Sequence, residues 1–206
     1  MITSKQMKEL ERSAMHHGIT ASELMENAGK QFFQAVRGKF DLKGKNVVIF
    51  CGTGNNGGDG LVAARYFADQ SHTLVLFFGE KNKLSEDALE KYDLVKSKVN
   101  IIQVKERVDL EKFHFQKHLD FIFIDALLGM GINGPLHDPI SFGIDYFNSL
   151  NGAKIAVDIP SGLNPDTGEV LDKVCESDLI VTFHDLKWGL EQFQDKTEVV
   201  DIGIPK

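Results

Sequence analysis

Residues 46–70 read NVVIFCGTGNNGGDGLVAARYFADQ, and the order of residue types in that stretch decides the fold class. Five residues of NVVIF come first, with none of the polar alternation of a half-exposed strand, so they suit a strand buried on both faces. The glycine- and amide-rich segment GTGNNGGDG follows at 52–60, and LVAARYFADQ then carries the composition of a helix. A strand, a glycine turn and a helix in immediate succession open an α/β unit. The sequence places Asp59 in the first turn of that helix. A glycine-rich turn at a helix N-terminus usually receives phosphate, because backbone N–H groups and the helix dipole face the ligand. A carboxylate opposes that use, although an acidic first-turn residue also stabilises a helix by ~0.3–1 kcal/mol with no ligand at all.

Further apolar runs lie at 73–79 (TLVLFFG), 100–104 (NIIQV), 120–129 (DFIFIDALLG), 154–160 (KIAVDIP), 178–183 (DLIVTF) and 197–203 (TEVVDIG). Helical stretches separate most of them, at 58–70, 85–99 (SEDALEKYDLVKSKV), 108–118 (VDLEKFHFQKH) and 140–150 (ISFGIDYFNSL). Strand–helix alternation of this kind predicts an α/β fold, a mostly parallel sheet with helices on both faces. Leu89, Tyr92, Val95 and Val99 recur at helical spacing and belong to the core. Ahead of the alternation, residues 4–18 and 20–40 form two helices, with Ser4 and Thr20 as N-caps and Glu23 at capping-box distance from Thr20. His16 and His17 mark the solvated end of the first, where the dipole favours imidazole. The whole chain, 1–206, is expected to be one domain: N-terminal helices over 1–40 and an α/β core over 45–206.

Bulk composition excludes several classes. With 206 residues and 42% hydrophobic content, the chain can bury one sizeable core. It has no apolar run near ~18 residues and no signal-peptide core at its start, so a cytoplasmic protein without a membrane segment is expected. Cys51 and Cys175 are the only cysteines, with no metal-type spacing, so neither a disulfide nor a thiolate metal site is expected. A net charge of −7 argues against a nucleic-acid partner.

In a parallel sheet, ligands bind beyond the carboxyl ends of the strands. Three such ends carry unusual chemistry: CGTGNNGGDG (51–60), DALLGMGINGP (125–135) and DIPSGLNPDTG (158–168). The first contains G-x-G-x-x-G at Gly52, Gly54 and Gly57, with Glu80 closing the next strand where a ribose-binding acid would sit. That lone pattern of a nicotinamide dehydrogenase is opposed by Asp59. In the second, Gly129, Gly131 and Gly134 can present N–H groups to an anion. In the third, Ser161 is flanked by Pro160 and Gly162, but IPSGL is not G-x-S-x-G, and His184 is the only partner on offer for a serine hydrolase. Ser161 suits an oxygen ligand better. Asn56, Asp125 and Ser161 together supply an amide oxygen, one carboxylate and a hydroxyl, a weakly charged set that fits a monovalent cation rather than Mg²⁺ or Ca²⁺.

LMENAG (24–29), GNNGGDGLVAAR (54–65), DALLGMG (125–131), AVDIPSGLNPDTG (156–168) and VTFHDLKWGL (181–190) stand in that order along nearly the whole chain. Together they resemble the NAD(P)H-hydrate epimerase family, the YjeF N-terminal domain, which includes apolipoprotein A-I-binding-protein-like members. The resemblance implies a Rossmann-like three-layer αβα sandwich. It implies interconversion of the R and S epimers of hydrated NADH and NADPH, cofactors damaged by water on the nicotinamide ring, which a dehydratase then repairs.

Position by position, the resemblance implies one K⁺ per subunit on Asn56, Asp125 and Ser161. It implies substrate binding by Asn55, Asn56, Gly57, Gly58 and Asp59, by Gly129, Met130, Gly131, Ile132, Asn133, Gly134 and Pro135, and by Asp158. Met130 stands where the family commonly has Thr, and Leu186 where it frequently has Pro. With substrate phosphates on the second glycine loop, Asp59 is free to meet a neutral polar part of the ligand. The chain ends without the dehydratase domain fused to many bacterial relatives, so that partner is expected on a separate chain, and a homodimer is the usual assembly. Asp158 is the leading acid/base candidate and Lys187 the next, as an ammonium beside developing negative charge. Members that act as scaffolds, in messenger-RNA decapping or apolipoprotein binding, form the alternative; retention of Asp59, Asp125 and Asp158 favours an enzyme.

Overall fold

The computed structural model describes every residue except 114, 116–119, 132–133, 171 and 206. Two helices lead the chain, α1 (Ser4–His16) and α2 (Ala21–Lys39). Seven strands follow: β1 (Asn46–Cys51), β2 (His72–Phe78), β3 (Asn100–Val104), β4 (Phe121–Ala126), β5 (Ala153–Val157), β6 (Leu179–Phe183) and β7 (Thr197–Val200). Helices α3 (Asn55–Phe67), α4 (Glu86–Val95) and α5 (Ile140–Ser149) connect them, with 3₁₀ turns at Lys81–Lys83, Arg107–Lys112 and Trp188–Lys196.

All seven strands fall where the apolar runs predict them. They form one sheet in the order β3-β2-β1-β4-β5-β6-β7, and every adjacent pair is parallel. The continuous hydrophobicity of the strands is explained by burial on both faces. Val47, Ile49, Ile122, Ile124, Ile155 and Val157 pack beneath α1–α4 in one cluster with Phe32, Leu61 and Phe67. Val48, Phe50 and Phe123 face the other way, onto Phe142, Ile144 and Phe147 of α5. The N-terminal helices are thus part of the same core as the sheet. The strand order reverses between β1 and β4, and the crevice that opens beyond their carboxyl ends is where such folds place ligands.

Three local expectations are corrected. Helix α3 begins at Asn55 rather than beside Asp59, so Asp59 lies in its second turn. The stretch 108–118 gives a 3₁₀ turn over Arg107–Lys112 instead of an α-helix; His114 and residues 116–119 lie outside the described residues. There the Asp109 carboxylate accepts from the backbone N–H groups of Lys105 and Glu106, and Phe115 packs edge-on against Phe121 and Phe123. Local capping and aromatic packing outweigh helix propensity. Finally, Thr3, not Ser4, caps α1, because Gln6 stands three residues on and completes the reciprocal capping box. Thr20 and Glu23 cap α2 as their spacing requires.

Candidate active site

The glycines after β1 are packing residues more than hinge residues. A Cβ on Gly57 would come within 2.0 Å of the Gly52 carbonyl oxygen, and one on Gly60 within 2.6 Å of the Ala126 Cβ. A Cβ on Gly58 would meet the Met25 methyl at 2.6 Å. None of the three has a left-handed backbone, so bulk rather than dihedral freedom excludes other residues. Their absence of side chains lets α3 lie directly on β1 and β4. Gly54 caps α3 without a side-chain hydrogen bond, and Asn55 and Asn56 face the crevice from its first turn.

A cavity of about 370 Å³ occupies the crevice. Thr53, Asn55, Asn56 and Asp59 line it from the β1 side, Leu127–Gly131 from the end of β4, Asp158 from β5, Phe183 from β6, and Met7, Lys8 and Glu11 from α1. Another cavity of about 460 Å³ opens beside the segments that lead into β5 and β6, at the opposite ends of the strands. Its lysines, Lys154 and Lys196, donate to the carbonyls of Asn148 and Ser177, and the strand-end chemistry lies elsewhere.

The β5 wall carries a buried ion pair. Asp158 is a non-glycine residue at φ 63°, a sparsely populated conformation that functional sites often hold and that Asp tolerates better than most residues. Its Oδ1 accepts from Lys187 Nζ at 2.5 Å, Thr182 Oγ1 at 3.0 Å and the Phe183 N–H at 3.1 Å. Oδ2 takes no donor among the described residues. Lys187, fully buried, also donates to Thr182 Oγ1 at 2.9 Å and to the Phe183 carbonyl at 2.8 Å. All three ammonium protons are used, and the pair is rigid.

Ser161 and Asn56 converge on the peptide of Leu128, and Asp125 holds Ser161 and the Leu127 N–H behind it. Asp125 is fully buried; its Oδ1 accepts from Ser161 Oγ at 2.6 Å and its Oδ2 from the Ser161 N–H at 2.7 Å. Burial pushes the Asp125 carboxyl up, and these donors pull part of that shift back. Ser161 Oγ accepts from the Leu128 N–H at 2.8 Å, and Asn56 Nδ2 donates to the Leu128 carbonyl at 2.8 Å. The hydroxyl has one proton, and the charged acceptor takes it. Ser161 Oγ and the Leu128 carbonyl oxygen, 3.1 Å apart, therefore face each other with lone pairs, an arrangement that favours a cation nearby. Among the described residues, no group of three or more His, Cys, Asp or Glu side chains is placed to hold a metal ion.

Acid groups crowd the cavity. Asp59 is half-buried as a residue while its carboxyl is deeply enclosed; burial, then the negative charges of Asp158 and Glu11, push it well above the usual carboxylate range. Glu11 is raised for similar reasons, burial first and Asp158 second, against Lys187 and Lys8.

Of the residues named from sequence, Asn55, Asn56, Asp59, Gly129, Met130, Gly131 and Asp158 line the cavity. Asp125, Ser161 and Lys187 lie immediately behind its wall. Gly57 and Gly58 are helix-packing positions instead, and Gly134 and Pro135 are exposed and outside the lining. Ile132 and Asn133 lie outside the described residues. Glu80 is exposed and away from the cavity, so the dehydrogenase pattern lacks its ribose acid. The strand-edge Ser161 is spent on Asp125, not on a histidine. Glu11 escaped the sequence reading, although its signal was present: it stands four residues after Met7 and three before Ala14, both buried, and so on the apolar face of α1.

The strand order, the glycine-packed turn and the acid-lined cavity at the switch point define a Rossmann-like α/β protein with a small-molecule site at the carboxyl edge of its sheet. The chain belongs to the family described as YjeF-related protein N-terminus, whose model matches residues 21–189. It is 33% identical to an NAD(P)H-hydrate epimerase of Nitrosopumilus maritimus, over 99% of this chain and 95% of that one. A bifunctional NAD(P)H-hydrate repair enzyme of Pyrobaculum aerophilum is 38% identical over 99% of this chain, which spans only 42% of that protein's length. The crystal structure of yeast YNL200c superposes with a TM-score of 0.78 at 25% identity, over 98% of this chain and 87% of that one. No helix among the described residues is long and apolar enough to cross a membrane.

Proposed function

We propose that this chain is an NAD(P)H-hydrate epimerase, an isomerase that interconverts the R and S forms of hydrated NADH and NADPH. The observation that carries the reading is the buried Asp158–Lys187 pair on the wall of the switch-point cavity. Epimerising a carbon that bears a hydroxyl needs a group to manage the proton on that oxygen. Lys187, Thr182 and the Phe183 N–H all bind Oδ1 of Asp158, which fixes the carboxylate and leaves Oδ2 for the substrate. Lys187 acts as the positioning partner and counter-charge of that acid/base.

Asn55 and Asn56 offer amides to the polar part of the ligand, and Gly129–Gly131 offer backbone to its phosphates. A Cβ on Gly131 would meet nothing within 4 Å among the described residues, which is the open space a close-lying ligand group requires. The donor set at Leu128 fits a potassium ion: Asn56, Asp125 and Ser161 would hold it, and it would supply a fixed positive charge beside the glycine loop. The reading extends to a cytoplasmic homodimer that works with an NAD(P)H-hydrate dehydratase on a separate chain. A non-catalytic scaffold has no need of a buried acid/base pair opening on a cavity. The test is whether the protein speeds interconversion of purified epimers above the spontaneous rate.

A further inference from the structure

Glu11 is the one carboxylate of the cavity that comes from outside residues 21–189, the part of the chain matched by the family model. Its helix is held over the site by two independent ties. The Ser4 N–H and hydroxyl donate to Asp166 Oδ1 at 2.6 Å and Oδ2 at 2.7 Å, joining α1 to the loop after β5. Ile2 bridges to Lys187, with its N–H donating to the Leu186 carbonyl at 2.8 Å and its own carbonyl accepting from the Trp188 N–H at 3.3 Å. The segment that carries Lys187 to Asp158 thus also anchors the start of α1.

Glu11 itself makes no hydrogen bond or ion pair among the described residues. An inward-facing carboxyl without a partner is costly unless it serves a ligand or holds a proton. The charged groups facing it are Lys8 on its own helix, Asp59 on α3, Asp158 and Lys187 at the sheet edge, and Asp87 of α4 across an adjoining cavity of about 150 Å³. Burial and Asp158 raise its carboxyl, which favours the protonated form needed by an acid.

We propose that Glu11 is the second acid/base of the site and works on the face of the substrate ring opposite to Asp158. The inference rests on the epimerase reading. Inversion at one carbon by loss and return of water requires proton handling on both faces, and besides Asp158 at the end of β5 the cavity offers acids on two other walls, Glu11 on α1 and Asp59 on α3. The reacting carbon carries the hydroxyl and is bonded to the ring nitrogen. Glu11 gives its proton to the hydroxyl oxygen; the C–O bond breaks with its electron pair going to oxygen, water leaves, and the nitrogen lone pair forms a C=N bond. Water then adds to the other face, its proton passes to the Asp158 carboxylate, and the pair returns to nitrogen. One proton has moved from Glu11 to Asp158, and the reverse run or exchange with solvent restores both groups.

The test follows each purified epimer in ¹⁸O-labelled water with the parent, Glu11→Gln and Asp158→Asn proteins. Glu9→Gln, on the exposed side of the same helix, is the control. The parent is expected to epimerise and to incorporate label. Glu11→Gln is expected to lose epimerisation by ~10²-fold or more, the range of a general acid–base group, while still exchanging the hydroxyl of one epimer with retention. Asp158→Asn is expected to exchange only the other epimer. If the parent does not epimerise, the functional reading falls and Glu11 with it. If the parent epimerises but Glu11→Gln stays within about twofold, exchanges neither epimer, or exchanges the same one as Asp158→Asn, the assignment of Glu11 alone is overturned.

Discussion

Lys187 places its ammonium 2.5 Å from Oδ1 of Asp158, and the two come from the ends of adjacent parallel strands, β6 and β5. Both are buried, so each depends on the other. Removing only the ammonium, as in Lys187→Met, leaves a carboxylate enclosed without its partner, a change that typically costs ~3–5 kcal/mol. Adding Asp158→Asn should recover much of that loss, because the amide is neutral and Asn also tolerates the left-handed backbone. Chemical denaturation of the two single variants and the double variant measures the coupling; strictly additive losses contradict a functional pair.

The glycines divide into two kinds with opposite expected behaviour. Gly57→Ala drives a methyl to within 2.0 Å of the Gly52 carbonyl and is expected to destabilise the fold severely. Gly131→Val meets no atom of the described residues within 4 Å at its Cβ, so melting should change little while binding of the hydrated cofactor weakens. Thermal melts and equilibrium binding on both proteins separate the two roles. Equal binding by Gly131→Val and the parent would remove the second glycine loop from substrate recognition.

Asp59 should make stability pH-dependent with a definite sign. Its folded-state carboxyl is raised by burial and by the charges of Asp158 and Glu11. Below the ordinary carboxylate value of ~3.9 both folded and unfolded states hold the proton, and the group costs nothing. As pH rises past that value the unfolded state ionises first, so stability falls until the folded-state value is reached. Asp59→Asn removes this penalty. Its melting temperature should match the parent near pH 4 and exceed it by a widening margin toward pH 7; a constant difference across that range contradicts the enclosed carboxyl.

The potassium ion proposed at Leu128 should appear as stabilisation, since a ligand that binds only the folded state raises stability by about 2.7 kcal/mol at 100 times its Kd. The melting temperature is expected to be higher in potassium chloride than in sodium chloride at equal ionic strength. Ser161→Ala, which removes one oxygen and one of the donors to Asp125, should abolish the difference. The assignment fails if the parent melts identically in both salts.

Much of this site is legible in the sequence because topology does the gathering. Strands buried on both faces leave continuous apolar runs, and once their order is known the loops after β1, β4 and β5 must meet at one edge. The misplaced start of α3 has a different origin. Gly57 and Gly58 look like loop glycines in the sequence, and only the backbone shows that a Cβ would strike Gly52 or Met25. Lys187 is named as a candidate from sequence, but its burial and its contact with Asp158, twenty-nine residues earlier, are opaque there, since lysines are usually solvated. The tie from Ser4 to Asp166 spans 162 residues and leaves no local trace. Glu11 was readable, as an acid on the apolar face of α1, though periodicity alone does not say that a cavity lies beneath it.

The central claim is tested most directly by incubating the protein with the pure R epimer of hydrated NADH and resolving the products by chromatography against a protein-free control. The expected result is appearance of the S epimer well above the spontaneous rate, with Asp158→Asn slower by ~10²–10⁴-fold yet still binding the substrate. An R-to-S rate equal to that of buffer, from folded protein supplied with potassium, would contradict the account.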